Sequence, residues 1–239
     1  MIIHNVIKQT SSFYNFIKNT KPIITLSKIL CSLIIILCFF NLIGISLNLD
    51  HATLDRSIMH KIYRFIDISV DGRLVNYFLS GLFFSSSILI YVVYLLEKKG
   101  VYLFFSILNG FIWVAISFNY HQKVAENIKP FFEANAFLDG EFEIFAWLLA
   151  FFLFLPFFIK CIYNLKIEDF GVVFLLFSSF ILLCIFAIII DYVGEILIVY
   201  FDFKSEVLSF IEEVGELIAG ILTFIIALSL LMLKSGSKN

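Results

Sequence analysis

Long uninterrupted runs of apolar residues, separated by short polar segments, dominate the sequence. A run of about twenty residues is long enough to cross the roughly 30 Å hydrocarbon core of a bilayer as an α-helix. Strands of an outer-membrane barrel would instead alternate over about ten residues. The pattern predicts an all-α, polytopic integral membrane bundle with one domain and six transmembrane helices, near residues 23–47, 77–96, 101–120, 143–163, 171–190 and 210–233.

The segments outside these runs show weaker, amphipathic patterns. In residues 1–22, apolar side chains such as Phe13 and Ile17 are mixed with Lys8 and Lys18, and no signal-peptide core is present. We therefore predict an amphipathic helix in the membrane interface, and a cytoplasmic tail at residues 234–239. The segment His51–Asp71 has apolar residues at helical spacing and predicts a second surface helix.

The composition supports assignment to the membrane proteins, and the absent motifs exclude several functional classes. Hydrophobic residues make up 61% of the chain and charged residues 15%, whereas soluble domains average about half hydrophobic and about a quarter charged residues. No GxSxG motif, glycine-rich phosphate loop or basic stripe is present, so we predict no nucleic-acid partner. The four cysteines lie inside predicted spans without a CxxC pair, which favours packing over disulfide or zinc chemistry.

Flanking charges predict the orientation. Lys8, Lys18 and Lys21 precede the first span, and no basic residue follows it until Arg56. By the positive-inside rule, both termini are expected in the cytoplasm. In this orientation 16 of the 19 carboxylates lie on the outer side, where their negative potential would attract cations.

Carboxylates concentrate where the last span begins. Glu212, Glu213 and Glu216 lie three or four residues apart, so they share about one helical face at the membrane boundary. Ionisable groups at this depth are costly and indicate function. If their helices continue, other spans end at the same level, and the predicted cation-binding candidates are Glu212, Glu213, Glu216, Asp191, Glu195, His121 and Glu126.

Three interpretations of this acidic set remain open. The carboxylates could be hydrated and paired with Arg56, Arg64, Arg73 or Lys123. They could form a cation or proton site for sensing or coupled transport. They could also hold a catalytic metal, as in a membrane-embedded metal-dependent lipid hydrolase. A divalent cation such as Mg²⁺ or Ca²⁺ fits carboxylates better than zinc does, because only His121 is well placed.

The leading functional hypothesis is a non-enzymatic membrane protein that binds a cation or cationic group at its outer face. The alternative is a membrane subunit or immunity-type protein that acts through a protein partner or a second copy of the chain. In either case the lipid bilayer is the expected surrounding partner. No catalytic residue and no certain cofactor is assigned from the sequence.

The order of the polar motifs resembles a family of bacterial multi-pass membrane proteins. The matching stretches are Ile66–Arg73, Asn119–Glu126 and Glu212–Gly220, the last resembling a Glu-Glu-x-x-Glu-x-x-Gly motif that opens the final span. Two positions depart from the family pattern, since Asn119-Tyr120 replaces an Asp-Glu pair and Arg73 replaces an acid. The resemblance implies a membrane fold located in the bacterial inner membrane, and no established activity.

Overall fold

The computed structural model describes residues 2–46, 74–128, 139–163, 165–201 and 205–236, and it is helical with no strand in these ranges. The helices are α1 (Ile2–Asn19), α2 (Lys21–Ser46), α3 (Leu74–Glu97), α4 (Gly100–Phe118), α5 (Tyr120–Ile128), α6 (Asp139–Tyr163), α7 (Phe170–Cys184), α8 (Asp191–Phe201) and α9 (Ser205–Gly236). A short 3₁₀ turn, Ile167–Asp169, precedes α7, and a π-helical segment, Ile185–Ile190, joins α7 to α8.

Six helical segments in the described ranges are long and apolar enough to cross a membrane. This finding confirms the predicted all-α polytopic fold. The helices generally extend past the apolar runs, most clearly α9, which begins at Ser205 instead of near residue 210. The predicted surface helix His51–Asp71 lies outside the described residues.

Helices α3, α4 and α9 form the centre of the bundle. Phe83 of α3, Phe105 of α4 and Leu217 of α9 are almost completely buried. Ser87 and Ser106 each donate a side-chain hydrogen bond to the other's carbonyl, at 2.8 and 2.9 Å. Because small residues allow helices to approach closely in lipid, these bonds hold α3 and α4 side by side.

Helix α1 packs against the start of α7. A Cβ atom on Gly171 would lie 2.8 Å from the backbone nitrogen of Thr10, so glycine permits this close approach. The Gly171 N–H donates to the Gln9 side-chain oxygen at 3.2 Å, which satisfies one amide in the first turn of α7. The predicted N-terminal helix therefore exists, and its position in the membrane interface stays a prediction.

Helix α6 lies at the edge of the bundle and is loosely packed. Only 11% of the most apolar 18-residue stretch of α6 is buried, compared with 56% of the corresponding stretch of α9. Between α6, α4 and α7 lies an apolar cavity of about 310 Å³, bordered by Phe104, Ile112 and Trp147. Pro156 lies within α6. The bundle is thus tightly packed on one side and open along the α4–α6 seam.

Candidate functional site

Glu212, Glu213 and Glu216 lie inside α9 and are half-buried. Helix α9 begins at Ser205, so the three glutamates follow about two turns of helix. Their spacing places them around one side of α9, as predicted. With Asp191, they define what we call the glutamate end of the bundle.

The π-helical segment packs directly against this part of α9. Gly215 is buried, and a Cβ atom added to it would lie 2.0 Å from the Phe186 ring. The contact therefore requires glycine, because any side chain would force Phe186 or the backbone to move. Because π-helical turns are rare and often occur at functional sites, this contact indicates that the glutamate segment is a candidate functional site.

Asp191 follows the π-helical segment at the first position of α8. Its side chain is half-buried, and α8 contacts α9 near Gly194, where Leu208 lies 3.6 Å from an added Cβ. The helix continues past residue 190, which was the condition for placing Asp191 beside the last span. The structure thus brings the Asp191 helix and the three glutamates onto contacting elements.

The remaining candidates are less closely connected with α9. His121 and Glu126 lie on α5, which packs against α6 and follows a left-handed turn at Asn119. Glu126 is exposed, while the side chains of His121 and Glu195 lie outside the described part. Within the described ranges, no three His, Cys, Asp or Glu side chains are arranged to hold a metal ion.

A second charged cluster lies at the other end of the bundle and was not predicted. We call it the lysine end, because it carries Lys98, Lys99, Lys166 and Lys234. Lys234 is 22 residues from Glu212 along the continuous helix α9. At 1.5 Å per residue, the two ends are about 33 Å apart.

Asp169 is the centre of the lysine end and is only 1% exposed. The Lys99 ammonium donates to both of its carboxylate oxygens, at 2.8 and 3.0 Å, and the Tyr102 hydroxyl donates at 2.7 Å. Lys99 also donates to Glu168 at 2.9 Å. A buried carboxylate needs such compensation, because an unpaired charge away from water is strongly destabilising.

Longer ion pairs connect this cluster to two more helices. Lys99 Nζ lies 3.5 Å from a carboxylate oxygen of Glu97, at the end of α3. Lys234 Nζ of α9 lies 3.7 Å from Glu97 and 3.8 Å from Asp169. The cluster therefore joins the ends of α3, α4, α7 and α9.

These contacts shift the pKa values of Lys99 and Glu168, which lie in the connections between the spans. Partial burial alone would lower the pKa of Lys99, but hydrogen bonds and charge attraction from Asp169 and Glu168 raise it overall. The hydrogen bond and positive charge of Lys99 lower the pKa of the exposed Glu168. Both groups are therefore charged throughout the neutral pH range.

Comparison with known proteins identifies no relative: no family model, curated protein or solved structure matches this chain. The family resemblance drawn from its motifs accordingly stays a prediction.

Proposed function

We propose that this is a bacterial inner-membrane protein whose glutamate end faces away from the cytoplasm and binds a cation or cationic group. The binding would serve sensing or coupled transport. The observation that supports the proposal best is the contact between the glutamate segment of α9 and the π-helical segment at Gly215. It places Glu216 beside a rare backbone geometry that is frequent at functional sites.

The electrostatics of the segment favour a positively charged ligand. Glu212 and Glu216 lie one helical turn apart, and Glu213 lies three residues from Glu216. All three are half-buried, so water screens their mutual repulsion less than it would on an open surface. A proton or a cation taken up by the segment would relieve that repulsion.

The ligand chemistry follows from the donor set. Carboxylate oxygens prefer hard cations such as Mg²⁺ or Ca²⁺, and they also take up protons. Asp191, at the start of α8, is the nearest candidate to complete the set, since α8 contacts α9. Glu126 on the exposed surface of α5 is a weaker candidate.

The test is the thermal stability of the full-length protein in detergent, measured from pH 5 to 8 and with added Mg²⁺ or Ca²⁺. We expect a pH- or cation-dependent shift in Tm for the wild type and its loss in Glu216→Gln, which keeps the side-chain shape. Glu168→Gln is the matched control, because it removes an exposed carboxylate at the lysine end, away from the cation-binding candidates. The control should keep the wild-type shift.

A wild-type Tm that responds to neither pH nor cations would contradict the proposal. The same conclusion follows if Glu216→Gln responds as the wild type does. In either case a search for a stoichiometric protein partner becomes the next experiment.

A further inference from the structure

A second cavity, of about 430 Å³, opens at the lysine end. It lies between the α3–α4 turn, the end of α6 and the segment that precedes α7. Four lysines line it, and Asp169 is the carboxylate among the lining residues; the lysines are Lys98, Lys99, Lys160 and Lys166. The cavity walls therefore carry an excess of positive charge.

The carboxylates nearby do not cancel this charge. Asp169 is bound by Lys99 and Tyr102, so its charge is compensated within the cluster. Among the residues that the structure describes, the count is five lysines against three carboxylates when the neighbouring Glu97, Glu168 and Lys234 are included. An anion entering the cavity would be attracted by this surplus.

The backbone adds a second attraction for an anion. Lys98 adopts a left-handed conformation, with φ of 55°, which turns the chain so that α4 begins at Gly100 on the cavity wall. The first amides of a helix have no acceptor within the helix, and the helix dipole is positive there. The lysines and the start of α4 thus favour the same negatively charged ligand.

The apolar cavity lies next to the basic cavity. Leu103 of α4 and Phe157 of α6 line the basic cavity, and the residues that follow them, Phe104 and Phe158, line the apolar cavity. The apolar cavity then follows the α4–α6 seam as far as Trp147. The seam therefore has a basic end at the span boundary and an apolar middle.

We propose that the α4–α6 seam binds an anionic phospholipid, with the phosphate in the lysine-lined cavity and an acyl chain in the apolar cavity. Basic pockets between transmembrane helices bind acidic head groups in this manner. The loose packing of α6 leaves room for the chain without separating the buried centre of the bundle. This site is independent of the cation site proposed at the glutamate end.

The experiment titrates detergent-solubilised full-length protein with phosphatidylglycerol, phosphatidylcholine or inorganic phosphate, and follows Tm and bound lipid by native mass spectrometry. The test variant is Lys98→Gln/Lys160→Gln/Lys166→Gln, which leaves Lys99 with Asp169. The matched control is Lys8→Gln/Lys18→Gln/Lys28→Gln, which removes the same charge from α1 and α2 at positions that do not line the cavity. Replacing the three cavity lysines by arginine tests whether positive charge restores binding.

We expect phosphatidylglycerol to raise Tm and remain bound in the wild type, the control and the arginine variant. The glutamine test variant should bind it about 100-fold more weakly, since each lysine near an acidic lipid contributes roughly a factor of five. Phosphatidylcholine should have little effect. Equal phosphatidylglycerol binding by the test and control variants would overturn the proposal, as would a response to inorganic phosphate alone.

Discussion

The two ends of the bundle carry carboxylates in different settings. At the lysine end, Asp169 is buried and bonded to Lys99 and Tyr102 at distances of 2.7 to 3.0 Å. At the glutamate end, Glu212 and Glu216 are half-buried on one helix, beside the π-helical segment. The first arrangement joins the ends of several helices through ion pairs, and the second groups acidic side chains on one side of a single helix.

The comparison shows that burial alone does not indicate that an ionisable residue binds a ligand. Asp169 is the more deeply buried carboxylate, yet its partners explain its presence structurally. The glutamates of α9 are placed beside a backbone irregularity that packing of regular helices does not require. We therefore assign a structural role to the contacts of Asp169 with Lys99 and Tyr102, next to the cavity proposed to bind a lipid phosphate, and propose cation binding at the glutamate end.

The substitution Asp169→Asn should have the largest effect. It removes the buried negative charge that binds Lys99 and Tyr102. We expect a loss of about 3 kcal/mol, the lower end of the range for breaking a buried ion pair, because Lys99 is partly exposed and keeps Glu168. Tm or chemical unfolding in detergent measures this loss. The matched control is Glu168→Gln, which removes the neighbouring partner of Lys99 from an exposed side chain.

We expect Glu168→Gln to be far less destabilising than Asp169→Asn, because exposed ion pairs contribute little. Equal losses from the two substitutions would mean that burial of Asp169 does not determine its contribution. The structural role assigned to the contacts of Asp169 would then be wrong.

The substitution Gly215→Ala should have the next largest effect, at the glutamate end. The added Cβ would lie 2.0 Å from the Phe186 ring, so Phe186 and the π-helical segment must shift. Overpacking of this kind typically costs about 1–3 kcal/mol. Gly81→Ala is the matched control, because nothing lies within 4 Å of its added Cβ.

Unfolding in detergent, together with the pH and cation response of Tm, measures the effect of Gly215→Ala. We expect both stability and response to fall in Gly215→Ala, and neither to fall in Gly81→Ala. A less stable Gly215→Ala protein with the full response would separate the π-helical contact from the binding site.

Much of the fold was predictable because apolar run length determines which segments can span a bilayer. The π-helical segment was not, since Ile185–Ile190 continues an apolar run without any interrupting residue. Its presence becomes visible only through packing, where Gly215 meets Phe186. The same applies to the loose packing of α6, whose apolar sequence resembles that of the buried helices.

The sequence placed the glutamates of α9 on a helical face but did not predict the lysine cluster. Lys99 and Asp169 are 70 residues apart, and neither belongs to a recognisable motif. One signal was available: Glu97, Glu168 and Asp169 are the three carboxylates expected on the cytoplasmic side, and all occur in the cluster. These carboxylates lie in two short connections next to lysines, so the sequence could have predicted that they form ion pairs with lysines.

The substitution Lys234→Gln should have a smaller effect than the two described above. Its distances of 3.7 and 3.8 Å to Glu97 and Asp169 exceed the 2.8 Å of the Lys99–Asp169 contact. A partly exposed pair of this kind contributes about 1 kcal/mol or less. Unfolding in detergent should give a loss well below that of Asp169→Asn, and a comparable loss would show that Lys234 is an equal partner.

The smallest expected effect is the pH dependence of the lysine end, which should be absent from pH 5 to 8. The pKa of Glu168 lies below its ordinary value of 4.5, so its stabilisation is present above that value and lost as pH falls through the lowered pKa. The pKa of Lys99 lies above its ordinary value of 10.5. Its stabilisation is therefore present below that value and lost only at more alkaline pH.

The Tm difference between wild type and Glu168→Gln should consequently stay constant from pH 5 to 8. The difference between wild type and Glu216→Gln should change in the same window if the α9 glutamates take up protons. A varying Glu168→Gln difference would show that the ion pairs of the lysine end open near neutral pH. The contrast between a fixed cluster and a responsive one would then no longer hold.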